Sequence, residues 1–191
     1  MFGHVVSVGG DCQPAHQIRR ITGLHHAHLF DWLLVPADGV ARLLDADFDG
    51  WLAPDTLFLE AAPYAHVRDA RYGVRFLHDF ALQPGFLAGL PPVRAKYEAL
   101  VKRWRLLMAS DAAVLFVWKG DEDAAAAERI AQALQRARGG RPSHLLALRS
   151  DIEEAPWRLP GISNRFLRQP EPYVWTGDDA AWDALFEVGP R

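Results

Sequence analysis

The chain has 191 residues, half of them hydrophobic and about a quarter charged, with a formal net charge of -3. That balance excludes a disordered segment and lacks the basic footprint of a protein that grips nucleic-acid phosphates. The length suits one α/β domain over residues 1–191 around a single core.

In chain order, Val5–Val8 is a short β-rich run that stops at Gly9-Gly10. Asp11 and Cys12 follow, and Gln13 to Ile21 predicts a helix with Pro14 in its first turn, where a missing N–H costs nothing. Gly23 ends that helix. A His-rich piece, Leu24 to Leu29, leads into Phe30-Asp31-Trp32-Leu33-Leu34. Asp38 is the expected cap of a short helix from Gly39 to Leu44. Residues 47–67 read as loops and short strands. Tyr72 to Phe76 alternates like a strand, with Leu77-His78-Asp79-Phe80 at its end. A long helix is expected from Val93 to Ala109, with Tyr97, Leu100, Val101, Trp104 and Met108 at helical spacing.

Ala112 to Trp118 is a continuous apolar strand of the kind buried on both faces. Asp121 to Arg138 is an alanine-rich helix closed by Gly139-Gly140, and His144 to Leu148 is the next strand. Strand, helix and strand in that order predict a parallel crossover. Residues 165–167 read as an edge strand. The predicted architecture is a three-layer α/β/α domain with a mainly parallel central sheet.

No apolar run approaches a membrane span, and the N-terminus shows no signal-peptide pattern. Cys12 is the only cysteine. That excludes an intrachain disulfide framework and fits a reducing, cytoplasmic setting. It leaves Cys12 as a small buried hydrophobe or a thiol kept for its chemistry. A cysteine at a helix start meets unpaired N–H groups and the positive end of the helix dipole, both of which favour a thiolate. Gly9, Gly10 and the N–H groups around Gln13 are the candidate oxyanion hole. A thiol nucleophile needs a base, and His78, at a strand end and followed by Asp79, is the best placed of eight histidines.

The block Val6-Ser7-Val8-Gly9-Gly10-Asp11-Cys12-Gln13-Pro14-Ala15 resembles the opening Ser-Leu-Gly-x-x-Cys segment of the family called putative papain-like cysteine peptidases. The resemblance continues through Gln17-Ile18-Arg19-Arg20, Phe30-Asp31-Trp32-Leu33, Phe76-Leu77-His78-Asp79-Phe80 and Lys96-Tyr97 ahead of Arg103. It spans roughly residues 5–120, and no comparable signature marks the last third. The resemblance implies a Cys–His centre with Cys12 as nucleophile and His78 as general base. Asp79 is the implied third member and Asp31 the competing choice. A papain-like fold would set the Cys helix against an antiparallel sheet that carries the His, whereas the residues themselves read as mainly parallel.

The implied activity is hydrolysis or transfer of an acyl group from a peptide or small amide, ester or thioester, with no cofactor. Three other readings stay open. His25, His26 and His28 with Cys12 or His66 could ligate zinc, though their spacing is not that of common hydrolytic sites. Ser7 to Asp11 ahead of a helix could cradle an anion, although it has no Gly-x-Gly-x-x-Gly pattern and no Walker lysine. The chain could also be a carbohydrate- or protein-binding module of a polysaccharide or secretion pathway, because Trp51, Trp157, Trp175 and Trp182 lie in or near expected loops. The arginines at 19–20 and at 103 and 105 read as solvated helix faces.

Overall fold

The computed structural model describes residues 2–171 and 173–187. Four strands form a parallel sheet: β1 (His4–Ser7), β6 (Val114–Lys119), β7 (Ser143–Arg149) and β8 (Ile162–Phe166), side by side in that order. Four more form an antiparallel sheet: β2 (Leu33–Leu34), β5 (Val74–Phe76), β4 (His66–Asp69) and β3 (Leu57–Glu60), again in spatial order. The expectation of one mainly parallel sheet therefore covers half of the described strands. Short runs of two to four residues built the second sheet, and such runs carry little periodic signal.

The parallel sheet is buried on both faces, as the unbroken apolar run of β6 requires. Val114, Phe116 and Trp118 face one hydrophobic cluster, while Leu115 and Val117 face another. β7 divides its residues the same way, Leu145 and Ala147 against Leu146 and Leu148. On the first face lie α2 (Ala37–Asp45), α3 (Leu90–Ala109) and α4 (Ala124–Arg138); on the second lie α1 (Gln13–Thr22) and α5 (Asp179–Glu187). The first cluster also takes in Leu33, Val67, Val74 and Phe76, so it is shared with the antiparallel sheet.

Several local signals act as expected. Pro14 sits in the first turn of α1, and Gly23 closes that helix in the left-handed region. Asp123 caps α4 by accepting from the Ala126 N–H, and Gly139 ends it. Others do not. Asp38 lies inside α2, paired with Arg42 one turn on, and Pro36 occupies the cap position. α3 begins three residues early because Pro91 and Pro92 fit its first turn. Trp182, expected near a loop, is fully buried on α5, in the cluster with Ile18 and Val117.

Candidate active site

Where parallel strands end, their connecting loops leave a crevice in which α/β proteins gather functional groups. Here β1 runs into the turn carrying Cys12, β6 ends at Lys119 and β7 is followed by Ser150; all three residues line one cleft of about 920 Å³. Its opposite side comes from the antiparallel sheet, through Leu34, Leu77, His78 and Asp79.

The connection between the two sides is a short backbone path. The Gly10 N–H donates to the Val35 carbonyl at 3.2 Å. Val35 directly follows β2, β2 pairs with β5, and His78 lies two residues past the end of β5. The glycine turn is thereby tied to the strand pair that delivers the histidine. Gly10 is required there: its φ is +85°, and a Cβ would lie 1.6 Å from the Lys119 carbonyl oxygen.

Asp11 organises the start of α1. Its carboxylate accepts from the Gln13 N–H at 2.9 Å and from Lys119 Nζ at 2.7 Å. Cys12 occupies the helix N-cap and is largely buried. Burial pushes its thiol up to about 11, with the charges of Asp11 and then Asp31 adding to the effect. In the resting protein the helix dipole is outweighed, and the sulfur is a thiol at neutral pH.

His78 is exposed, its imidazole edge-on to the Trp32 ring at 6.5 Å and without a hydrogen bond among the described residues. Asp79 does not hold that imidazole. One of its oxygens takes Lys96 Nζ and the other the Tyr97 hydroxyl at 2.9 Å. Asp31 is farther from the chemistry: it is buried behind the cleft, accepting from Arg19 Nη2 at 2.6 Å and the His28 N–H at 2.8 Å.

The expected oxyanion donors are also engaged internally. Gly9 N–H points to Ser7 Oγ, Gly10 N–H to Val35, and Gln13 N–H to Asp11. The Cys12 N–H has no partner among the described residues, which leaves it free to donate. The Gln13 side chain reaches the other way, donating to the Trp175 carbonyl at 3.1 Å and accepting from Trp182 Nε1 at 3.3 Å.

Two tryptophans, Trp32 of the family-like Phe-Asp-Trp block and Trp175 of the binding-module reading, form the aromatic wall of the cleft. Trp32 and Trp175 lie 6.3 Å apart, centroid to centroid, and the His16 ring lies 5.1 Å from Trp175. Trp175 rides on a segment pinned to α1 by Gln13 and Gln17, the latter donating to the Thr176 carbonyl at 2.7 Å. Lys119 left one usable signal, a single charge ending an otherwise apolar strand; Trp175 was legible only as a loop tryptophan, because its place beside Cys12 depends on contacts more than 150 residues away in sequence. His66, a candidate zinc ligand, is bonded to Glu60 and the Tyr64 carbonyl. No group of three or more His, Cys, Asp or Glu is arranged to hold a metal among the described residues.

Residues 3–142 match the family described as "putative papain-like cysteine peptidase". The chain belongs to that family. No curated protein and no solved structure matched it. The matched stretch contains Cys12, His78 and Asp79; Trp175, Gln169 and Ser150 of the cleft lie beyond it. Both halves of the earlier fold conflict are present, since the cysteine follows a parallel strand and the histidine follows an antiparallel one. No helix among the described residues is long and apolar enough to cross a membrane.

Proposed function

We propose that the protein is a cysteine-dependent hydrolase or acyltransferase in which Cys12 is the nucleophile and His78 the general base. The observation that carries this reading is the shared cleft: a thiol at a helix N-terminus and an imidazole with no hydrogen bond among the described residues, brought to one crevice from two different sheets.

Because the resting thiol is protonated, deprotonation accompanies attack. The imidazole of His78 takes the Cys12 proton as sulfur bonds to the acyl carbon, and the carbonyl electrons move onto oxygen. The Cys12 N–H stabilises that oxyanion. Collapse breaks the bond to the leaving amine or alcohol, which receives the proton from His78 and leaves a thioester. Water or an acceptor then attacks, giving its proton to His78, and the sulfur departs and regains a proton. Asp79 acts by anchoring its own turn to Lys96 and Tyr97, and so fixes where the preceding residue, His78, can stand. Gly9, Gly10 and Gln13 shape the turn around the nucleophile. Peptides and small amides, esters or thioesters are the substrate classes, with Trp32 and Trp175 receiving an apolar group beside the scissile bond. A reducing cytoplasmic setting suits a single working thiol.

A second reading rests on Trp175, which is 57% exposed beside Trp32. Indoles so displayed also suit sugar rings, as in a binding module of a polysaccharide pathway. Turnover of an ester and peptide panel separates the two. Loss of activity in both Cys12→Ala and His78→Ala supports the hydrolase. Glycan binding by a protein inert to every acyl donor supports the module.

A further inference from the structure

A second cavity of about 620 Å³ is lined in part by Ala15, Ile18, Arg19 and Thr22 of α1, without Cys12. That size suits a small organic ligand, and nothing in the proposed acyl chemistry uses it. The arginines at 19 and 103, which the sequence presents as ordinary surface charges, both line it. Their neighbours are disposed of elsewhere: Arg20 pairs with Asp183 and Arg105 with Asp47.

The charge balance of the cavity is one-sided. Its carboxylate, Asp31, is already satisfied by Arg19 and the His28 N–H. Arg19 bonds it through Nη2 alone, leaving Nη1 without a partner, and Arg103 has no ion pair or hydrogen bond among the described residues. The imidazoles of His4, His26 and His28 also line the cavity and likewise have no hydrogen-bond partner there. Two guanidiniums thus face one occupied carboxylate, with three further N–H-bearing rings at hand.

The rest of the lining is apolar. Ile18 and Leu107 form the inner part, and Leu24 and Leu106 stand at the rim, 58% and 73% exposed. Large aliphatic side chains this exposed, beside the unpaired guanidinium of Arg103, suit a ligand with a charged end and a hydrocarbon end.

We infer that this cavity binds a small anionic amphiphile, a carboxylate or phosphate on a single aliphatic chain, with Arg103 and Arg19 holding the head and Leu106, Leu107 and Ile18 the tail. The inference is independent of the acyl-transfer reading. The test is calorimetric titration of the full chain with decanoate and with decyl phosphate, each below its micelle concentration, with decanol and inorganic phosphate as controls. Saturable one-site binding is expected for the two amphiphiles, and Arg103→Gln and Leu106→Asp should each weaken it at least about tenfold. Both positions are exposed, so both variants should fold. Trp175→Ala, which alters the other cleft, should leave the affinity unchanged. Equal binding of decanol, no binding of either amphiphile, or weakening by Trp175→Ala but not by Arg103→Gln would overturn the inference.

Discussion

The thiol of Cys12 should be slow to alkylate, by an amount that follows from its surroundings. With its titration displaced from 9.0 to about 11, about 0.1% is thiolate at pH 8, against about 9% for an unshifted thiol, a ratio of about 90. A more basic thiolate is also more nucleophilic, which recovers about eightfold over that range. Iodoacetamide should therefore react about tenfold more slowly at pH 8 than with an ordinary cysteine, and the rate should keep rising beyond pH 9. Asp11→Asn tests the cause. Asparagine keeps an oxygen for the Gln13 N–H but removes the charge, so the midpoint should fall while staying above 9, because burial is the larger contribution. The shift has a thermodynamic counterpart. Between pH 9 and 11 the native thiol keeps a proton that the unfolded chain has lost. Stability is therefore full below pH 9 and declines as pH rises through that window, by up to about 2–3 kcal/mol. Cys12→Ala should lack this slope in urea titrations. A wild-type midpoint near 7, or one indifferent to Asp11→Asn, would refute the electrostatic account of the site.

Gly10→Ala should cost about 3 kcal/mol or more in chemical denaturation, because its Cβ would meet the Lys119 backbone at a positive φ, whereas Gly23→Ala, with open space around it, should cost about 1 kcal/mol. Equal costs would contradict the close-approach argument. Arg138 is fully buried and donates to the carbonyls of Leu107, Met108, Ser110, Ala112 and Pro142, joining the end of α3 to the start of β6 and the end of α4. Its replacement by Met should destabilise by about 3–5 kcal/mol, and Lys should not restore the loss, since an ammonium cannot span the same carbonyls. Asp79→Asn should lower kcat far less than His78→Ala, because the carboxylate holds Lys96 and Tyr97 rather than the imidazole. A loss approaching about 10⁴-fold would instead place Asp79 in direct command of the histidine tautomer.

What could be seen from sequence alone was local. The strand, glycine turn and helix around Cys12, the buried run of β6 and the α4–β7 crossover each announce themselves within about twenty residues, through periodicity, proline at a helix start and glycine at a helix end. The antiparallel sheet depends on pairing Leu33 with Phe76 and Leu57 with Asp69, and no local pattern encodes those partners. α5 was missed because its apolar face is dominated by Trp182, whose counterparts Ile18, Val117 and Leu148 come from three other elements. The site divides the same way. Cys12 and His78 are legible as residue types at element ends, but the engagement of Asp79 by Lys96 and of Gln13 by Trp175 depends on how distant segments meet.

The central claim is covalent chemistry at Cys12 with His78 as its base, and intact-mass measurement after mixing with p-nitrophenyl acetate tests it most directly. The account predicts addition of one acetyl group, mapped to the Cys12 peptide, that decays on standing. The adduct should be absent in Cys12→Ala and should form about 10²–10⁴-fold more slowly in His78→Ala. Acetylation elsewhere with Cys12 unmodified, or on Cys12 at the same rate without His78, would contradict it.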